Sequence, residues 1–379
     1  MFKFLRQLKK EISSHEPLIK VVVHRLALLD NLNAFRQKYD KLAFAPVLKS
    51  NAYGHGILEV AGILDRERLP FFVTDSLFEA RMLQNEGIHT PVLVIGYTSV
   101  DNISSRHYPN IIFTITSLDH LKLLNSRLKI RTDFHLKIDT GMHRQGIMED
   151  EIEEAMGILK KNSRIRLVGL CTHFADADNP DASFTDKQVE VWNRVAEAFK
   201  NAFSSIKHFH CANSAGVYYS KKAFGNVARL GISLYGINVS PFENVGLKPV
   251  LEMSSIISAV KNINAGEYVG YNITFKAEKP MKIATVPAGY FEGVDRRLSN
   301  VGVFTVGGKE CPIVGRVSMN ITTIDVSAVP EVKMGDRAVI ISADAKAGNS
   351  IENISRQIGA IAYENLVHIP AHLKRVVVD

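Results

Sequence analysis

Residues 42–56 read LAFAPVLKSNAYGHG, an apolar run that passes at Lys49 directly into a turn of small and polar residues. Such a run is typical of a buried strand, which places the Lys49 amine at the tip of that strand. Removal from water favours the neutral amine, and a neutral amine can attack a carbonyl group to form a Schiff base. The structural alternative is a lysine that simply leaves a buried strand for water.

Apolar runs of this kind recur between residue 42 and about residue 236, and the stretches between them carry helical periodicity. Near-continuous apolar strands that alternate with helices predict an α/β fold, a (β/α)8 TIM-type barrel, whose functional groups lie at the carboxyl ends of the strands. An open doubly wound sheet is the alternative, but no Gly-rich dinucleotide turn follows the first strand. The eight predicted strands lie in residues 42–49, 70–76, 91–97, 111–117, 134–139, 166–174, 208–214 and 228–236.

The pattern changes after residue 246, where short strand-like runs follow one another between Gly, Pro and Asn turns. We therefore predict two domains, a barrel over residues 18–245 and a mainly-β C-terminal domain over residues 246–379, with a late helix near residues 351–361. Residues 18–25 form a predicted strand ahead of the first barrel helix, and this strand could belong to the β domain. A chain of 379 residues also favours two domains by length alone.

The composition is that of an ordinary globular protein, with 46% apolar and 22% charged residues. The formal net charge is +7, but basic and acidic residues are interspersed, so no nucleic-acid partner is predicted. The three cysteines are widely spaced and odd in number, which favours reduced thiols in a cytoplasmic protein and gives no indication of a metal site.

No stretch of the sequence reaches membrane-spanning length, and the N-terminus lacks the apolar region of a secretory signal. Phe2, Leu5 and Leu8 would share one face of a basic amphipathic helix at a membrane surface. A frayed or self-docked terminus is the favoured interpretation, so no membrane partner is predicted.

Polar side chains follow several of the predicted strands. Strand alternation places His135, Lys137 and Asp139 on one face, so a cation would lie buried beside a carboxylate. A plain Lys137–Asp139 ion pair that fills the barrel is the alternative interpretation. Arg144 follows on the next loop, where its guanidinium could hold a carboxylate or a phenolate oxygen in a fixed geometry.

Three later runs add further candidates at the barrel rim. His173 lies at the tip of the sixth run, and Ser214 supplies a hydroxyl at the end of the seventh. A lone histidine is more often structural, but the rim is where barrel enzymes concentrate functional groups. In the eighth run Arg229 precedes Gly231, whose missing side chain lets backbone N–H groups approach an anion such as phosphate.

Eight segments resemble the alanine racemase family, whose members carry pyridoxal phosphate (PLP) on a lysine. The resemblance covers nearly the whole chain, from about residue 18 to residue 370. It implies the barrel fold, the PLP cofactor and a homodimer with shared active sites. The segments are VLKSNAYGHG (47–56), HLKIDTGMHRQG (135–146), CTHFADAD (171–178), CANSAG (211–216), VARLGISLYG (227–236), YVGYNITF (268–275), PAGYFEG (287–293) and IVGRVSMN (313–320).

The resemblance implies two bases on opposite faces of the substrate α-carbon. Racemisation requires this arrangement, because one base removes the α-proton and the other returns a proton on the far side. Lys49 would carry PLP as a Schiff base and act as one base, and Tyr271 of the partner subunit would be the other. A tyrosine is a weak base at neutral pH, and the resemblance links Tyr271 through His173 to Arg229.

Arg229 would face the ring nitrogen of PLP. An arginine only donates hydrogen bonds, so that nitrogen must accept one and stays unprotonated. The ring then withdraws electrons less strongly, which disfavours transamination and suits a racemase.

The resemblance also assigns the contacts of the phosphate and of the substrate. The phosphate would be held by Tyr53, Ser214 and the backbone of Gly231 and Ile232.

Arg144 would contact both the cofactor and, with the Met319 backbone, the substrate carboxylate, while Tyr290 would line the substrate entrance. Lys137 stands where the family often has a carbamylated lysine that orients the residue matching Arg144. His173 and Arg229 complete the implied surroundings of the cofactor.

Three positions depart from the family pattern. Asn320 and Glu292 each stand where the family usually has aspartate. A family tyrosine that touches the phosphate and walls the alanine methyl pocket is replaced by Ala371, counting without gaps from Tyr363. This change predicts a wider pocket and activity on amino acids larger than alanine, such as serine or a basic residue.

We therefore predict a PLP-dependent racemase of a free amino acid, with alanine as the first candidate and a larger substrate such as serine or lysine as the alternative. A decarboxylase or aldolase on the same barrel type would not be expected to show the Tyr271 and Arg229 motifs. A non-catalytic PLP-binding carrier is the alternative from another class. The β domain with Tyr271 and Met319 counts against it.

Overall fold

The computed structural model describes residues 16–379, so the predicted N-terminal amphipathic helix with Phe2, Leu5 and Leu8 lies outside the described residues. The chain divides into two compact units. We call the first the barrel unit, which comprises His24–Val250 with Val377–Asp379. We call the second the β unit, which comprises Leu251–Val376 with the described residues up to Val23, and thus most of strand β1 (Lys20–His24).

The barrel unit contains eight parallel strands, and each of the eight predicted runs contains or overlaps one of them. They are β2 (Ala43–Pro46), β3 (Phe72–Thr74), β4 (Val92–Val94), β5 (Ile111–Ile115), β6 (Thr132–Lys137), β7 (Ile165–Cys171), β8 (His208–His210) and β9 (Val227–Leu230). Strands β3 to β8 form one sheet in sequence order, and β2 pairs with β9.

Backbone contacts close these strands into a barrel. On one side, a parallel bridge joins Val47 to Val73. On the other side, the Asn226 N–H donates to the Phe209 carbonyl at 3.0 Å and the Arg229 N–H to the Ala212 carbonyl at 3.0 Å. The predicted (β/α)8 barrel is thus confirmed, and its closure leaves no open edge of the kind that a doubly wound sheet has.

The helices of the barrel unit follow its strands, and several begin at a serine. The Ser76, Ser99 and Ser117 side chains each accept a hydrogen bond from an amide three residues later, which satisfies one of the free N–H groups at a helix start. The helices are α1 (Arg25–Lys38), α2 (Lys49–Tyr53), α3 (Ile57–Leu64), α4 (Leu77–Asn85), α5 (Val100–Ser104), α6 (Leu118–Arg127), α7 (Ile152–Lys161) and α8 (Ser183–Ala202).

The β unit consists mainly of short strands. They are β10 (Leu251–Ile256), β11 (Ala259–Ile263), β12 (Tyr268–Val269), β13 (Phe275–Lys276), β14 (Met281–Val286), β15 (Val303–Val306), β16 (Lys309–Pro312), β17 (Thr322–Asp325), β18 (Arg337–Ile341) and β19 (Arg375–Val378). One sheet has the order β16-β15-β18-β10-β1-β19, a second has the order β11-β14-β17, and β12 pairs with β13.

Strand β1 pairs with β10 in antiparallel register, so the N-terminal strand lies in the sheet of the β unit. Two helices, α9 (Ile351–Ile358) and α10 (Ala362–Val367), lie where the sequence predicts one late helix. Gly359 separates them with a φ of 65°, a left-handed value that ends α9 at its C-terminus. Across residues 16–379, no helix is long and apolar enough to cross a membrane.

Candidate active site

Lys49 begins α2, and α2 is a left-handed turn. Ser50, Asn51, Ala52 and Tyr53 have φ angles of 55°, 56°, 53° and 53°. This conformation costs roughly 1–2 kcal/mol per residue for an amino acid with a side chain. Neighbouring groups must therefore hold this turn in place.

The carboxylate of Glu79, on α4, supports the left-handed turn. Its Oε1 accepts hydrogen bonds from the Ser50 N–H at 2.7 Å and the Asn51 N–H at 3.4 Å. Its Oε2 accepts from the Asp75 N–H at 3.0 Å, which ties the turn to the end of β3. The Asn51 side chain in turn accepts from the Ile57 N–H at 2.9 Å, at the start of α3.

Lys137 lies at the end of β6 with only 5% of its surface exposed. Its Nζ donates to Gln145 Oε1 at 3.2 Å. Burial lowers the pKa of Lys137 to about 8, and the positive charges of Arg229, Arg144 and Lys49 act in the same direction. The buried Lys137 amine therefore lies within the electrostatic influence of three other cations, and among the described residues it has no carboxylate partner.

The alternative interpretation from the sequence, an ion pair between Lys137 and Asp139, is wrong, because each residue has other partners. Asp139 Oδ1 instead accepts hydrogen bonds from the Gly141 N–H at 2.9 Å and the His143 N–H at 3.1 Å, which shapes the loop after β6. Arg144, on that loop, is exposed on the described chain. Its positive charge lowers the pKa of both Lys137 and His173, so it lies near the end of the barrel that carries them.

Arg229 is buried at the end of β9, and its guanidinium hydrogen-bonds to carbonyls and imidazoles. It donates to the carbonyls of Thr172, His210 and Cys211 at 2.7–3.1 Å. It also contacts His173 Nδ1 at 3.0 Å and His210 Nδ1 at 2.8 Å. Because a guanidinium only donates, both Nδ1 atoms must accept, and both imidazoles carry their proton on Nε2.

The same assignment of donors and acceptors extends from His210 to His135. His210 Nε2 lies 2.8 Å from His135 Nδ1, so His210 donates and His135 accepts. His135 Nε2 then carries the last proton of this series of hydrogen bonds, and this buried atom has no hydrogen-bond partner among residues 16–379. Burial, supported by the neighbouring cation Arg229, lowers the pKa of both histidines well below the usual range, so both are neutral at neutral pH.

His173 is the branch of this network nearest the barrel rim. Burial and the positive charges of Arg229, Lys137, Arg144 and Lys49 lower the pKa of His173 well below its usual range. Its Nδ1 is occupied by Arg229, so a neutral His173 has one donor left, the Nε2–H group.

Tyr53, Ser214 and Gly231 converge on one small space at the same end of the barrel. Ser214 Oγ accepts hydrogen bonds from the Gly231 N–H at 3.0 Å and the Ser233 N–H at 3.4 Å. A Cβ atom on Gly231 would lie 2.8 Å from the Tyr53 hydroxyl oxygen, so any larger residue would have to displace that hydroxyl. Ile232 opens the 3-10 turn Ile232–Tyr235 that follows.

These residues form what we call the barrel cluster: Lys49, Tyr53, Lys137, Arg144, His173, Ser214, Arg229, Gly231 and Ile232. All of them follow the carboxyl ends of barrel strands or stand at such an end. The sequence reasoning missed three residues that support the cluster, Glu79, Gln145 and His210. For His210 a signal existed, since it is the last residue of the strand HFH (208–210) and therefore stands at the carboxyl end of the barrel.

The β unit carries a second group of candidates, Tyr271, Tyr290 and Met319, which we call the β cluster. They line one cavity of about 760 Å³ together with Asp295, Arg296, Asn365 and His368, among others. Their surfaces are 69%, 44% and 56% exposed on the described chain. Ala371 is also exposed, in the turn after α10, and is not one of the residues that line this cavity.

Comparison with known proteins identifies the family. Residues 23–239 match the family described as "Alanine racemase, N-terminal domain", and residues 250–377 match "Alanine racemase, C-terminal domain". The chain belongs to the alanine racemase family. Membership confirms the predicted family and the predicted class of enzyme, an isomerase.

Curated alanine racemases resemble the chain over most of its length. The alanine racemase of Carboxydothermus hydrogenoformans is 36% identical over 340 residues, which cover 88% of this chain and 92% of the relative. The alanine racemase of Sorangium cellulosum is 34% identical over 340 residues, with 87% and 90% covered.

Solved alanine racemase structures share the fold. The enzyme from Clostridium difficile 630 superimposes with a TM-score of 0.88 at 27% identity and covers 96% of this chain and 97% of its own. The Bacillus anthracis alanine racemase, solved with bound L-Ala-P, has a TM-score of 0.88 at 27% identity, with 97% and 96% covered.

Proposed function

We propose that the chain is a PLP-dependent alanine racemase. The observation that carries the proposal is Arg229, a buried cation held by carbonyls and by two imidazoles beside Lys49 and a small cradle of hydroxyl and N–H donors. PLP enzymes of most other folds place a carboxylate at the ring nitrogen. A guanidinium at that place suits a reaction that only moves a proton at the α-carbon.

The barrel cluster has the chemistry to hold PLP. The Tyr53 and Ser214 hydroxyls and the backbone of Gly231 and Ile232 would bind the phosphate, in a space that a single added Cβ would fill. Arg229 would donate to the ring nitrogen, and the Lys49 amine would bind the cofactor covalently. When bound, PLP stabilises negative charge at the substrate α-carbon.

The two bases would come from different chains. Lys49 would move a proton on one face of the α-carbon, and Tyr271 of the partner subunit on the other. The Nε2–H of His173 would donate to the phenolate oxygen, and the Arg229 contact at His173 Nδ1 would polarise that donor. This support would help a tyrosine, whose hydroxyl is ordinarily a weak base, to accept a proton.

A second copy of the chain would complete the site. Exposed aromatic and apolar side chains concentrate in the sequence around the β cluster, a pattern typical of a surface that is covered in an assembly. They are Tyr268, Tyr271, Ile273, Tyr290, Phe291, Met319 and Ile321. We therefore propose a homodimer with composite sites, for which sedimentation velocity gives the direct measurement.

Arg144 and the Met319 backbone would hold the substrate carboxylate, and Tyr290 would line the entrance. Lys137 would carry a carbamate: its neutral amine attacks carbon dioxide, an N–C bond forms, and one proton is lost to water. A pKa of about 8 leaves a usable fraction of neutral amine near neutral pH. The product is an anion that compensates the surrounding Arg144, Arg229 and Lys49.

The proposal is tested by incubating the PLP-loaded protein with L-alanine in D₂O. Exchange of the α-hydrogen is followed by NMR and inversion by chiral chromatography. We expect exchange with inversion, loss of both in Lys49→Arg, and retention of both in the exposed-lysine control Lys41→Arg. Exchange without inversion would refute Tyr271 as the second base, and a visible cofactor band without any exchange would support the carrier alternative.

A larger amino acid is the second candidate substrate. It rests on the residue type at position 371 alone, since Ala371 does not line the cavity of the β cluster. The same assay with L-serine and L-lysine decides between them. A cytoplasmic location remains a prediction, supported by three buried free thiols.

A further inference from the structure

Two loops of the β unit carry Tyr290 and Met319, and backbone hydrogen bonds join them. The Tyr290 N–H donates to the Ser318 carbonyl at 3.0 Å, and the Phe291 N–H donates to the Met319 carbonyl at 2.9 Å. Gly289 packs so closely against the Ser318 and Met319 carbonyls that a Cβ atom would not fit. The geometry of one loop therefore depends on the other.

One side-chain contact completes this junction, and it joins two of the three residues that depart from the family pattern. Asn320 Nδ2 donates to Glu292 Oε1 at 2.6 Å. Glu292 Oε2 accepts from the Gly289 N–H at 2.8 Å, and only 8% of the Glu292 surface is exposed. Each carboxylate oxygen thus has a neutral donor.

We propose that Glu292 and Asn320 act together as a positioning pair that sets the separation of Tyr290 and Met319. The inference rests on the proposed function, in which Tyr290 and Met319 form the β-unit side of the substrate site. In this chain the Glu292 carboxylate reaches position 320, so the contact requires a donor there. A carboxylate at both positions places two acceptors at hydrogen-bond distance with no proton between them.

Asn320→Asp tests the coupling by making the pair two carboxylates. Like charges at this distance force the pair to retain one proton, which can then occupy the hydrogen bond. The loops therefore keep their geometry at low pH and separate as the pH rises and that proton is lost. The other titratable or charged groups along the adjoining cavity are Tyr271, Tyr290, Asp295, Arg296 and His368, and they are unchanged in every variant.

The experiment compares wild type, Asn320→Asp and the swap Glu292→Gln with Asn320→Asp, all as PLP-loaded protein. In the swap the glutamine amide donates to the new aspartate, so the same bond forms in reverse. The variant Asn264→Asp, in the exposed loop between β11 and β12, controls for the added charge. The readouts are kcat and KM for alanine racemisation from pH 6 to 9, and the thermal unfolding midpoint over the same range.

We expect Asn320→Asp to lose about tenfold or more in kcat/KM at the upper end of the range, mainly through KM, and to recover toward the lower end. The swap should return to within about threefold of wild type with a wild-type pH profile. An Asn320→Asp variant that matches wild type at every pH overturns the proposal. A swap no better than Asn320→Asp also overturns it, because the two residues then act separately.

Failure of the proposed function gives a different result. If wild type does not racemise alanine, the unfolding midpoints still decide the coupling. The proposal stands if Asn320→Asp is destabilised increasingly as pH rises and the swap is not. It falls if both variants and Asn264→Asp share one pH profile.

Discussion

In the barrel cluster most functional side chains, though not Arg144, are enclosed and held by hydrogen bonds, whereas in the β cluster they face solvent on the described chain. Lys137, His173 and Arg229 receive their orientation from carbonyls, imidazoles and an amide of the same chain. Tyr271 and Met319 are more than half exposed. The first arrangement is organised by the chain itself, and the second would receive its surroundings from a second copy in the proposed dimer.

This contrast separates two kinds of functional residue. A buried network fixes protonation states, because each donor determines the tautomer of the next imidazole. An exposed aromatic side chain is held in a defined position only when a second surface covers it. The predictions below therefore ask whether the exposed cluster matters as much as the buried one.

Tyr271→Phe should have the largest effect on activity. If it has no effect, the exposed β cluster does not match the buried barrel cluster in importance. Removing the hydroxyl of one base should lower racemisation in both directions by about 10²–10⁴-fold. Hydrogen exchange on one enantiomer should persist through Lys49, as measured by NMR in D₂O.

Tyr268→Phe is the matched control, since this tyrosine is also exposed, by 53% against 69% for Tyr271, and lies on β12 of the same unit. It should retain wild-type rates. If both variants remain fully active, the β cluster is not part of the site and the barrel cluster alone performs the chemistry.

A second prediction concerns Lys137, a buried residue of the barrel cluster. Its pKa is about 8 in the fold and 10.5 as the ordinary value, so between these pH values the unfolded chain binds the proton and the folded chain does not. The free energy of unfolding should therefore rise with pH across this window, by roughly 2–3 kcal/mol relative to Lys137→Met. Urea unfolding at several pH values in CO₂-free buffer measures this rise.

Adding bicarbonate should make the wild-type protein heavier by one carbon dioxide in mild intact-mass spectra, and Lys137→Met should show no gain. If the free energy of unfolding depends on pH in the same way for wild type and Lys137→Met from pH 8 to 10.5, the pKa of Lys137 is not lowered by burial.

Glu79→Ala tests whether the enclosed cluster depends on its supporting carboxylate. Loss of the bonds to the Ser50 and Asn51 amides should loosen the turn after Lys49 and weaken PLP binding by about tenfold. Titration of apoprotein with PLP, read by absorbance, gives the affinity. Glu79→Gln keeps part of the acceptor function and should lie between, while the exposed Glu197→Ala should bind as wild type does.

Ala371→Tyr should have the smallest effect, a severalfold shift in preference toward alanine over serine or lysine, because a ring narrows the side-chain pocket. The measurement is the ratio of kcat/KM values. An unchanged ratio would indicate that position 371 does not border the substrate.

The barrel was predictable because its strands are continuous apolar runs and each ends in polar residues. Alternation also placed His135 and Lys137 correctly in the interior. It could not find the partner of Lys137, because Gln145 reaches it from a loop. The left-handed turn at Ser50–Tyr53 was beyond prediction, since no glycine marks it and its support, Glu79, is 29 residues away from Ser50.

Asn320 and Glu292 illustrate a further limit of sequence reasoning. Each was recognised as a departure from the family, but as a separate one. Their contact spans 28 positions and requires the two loops to be hydrogen-bonded side by side. A single sequence shows both residues and not the bond between them.

The turn after Lys49 also has a consequence for the order in which the protein matures. Its backbone occupies a region that amino acids with side chains avoid, so the segment 50–53 has no tendency to form it alone. The carboxylate that stabilises it lies on α4 and also binds the end of β3. In the proposed function, PLP binding by Lys49 would therefore depend on assembly of this strand–helix unit and not only on synthesis of the lysine.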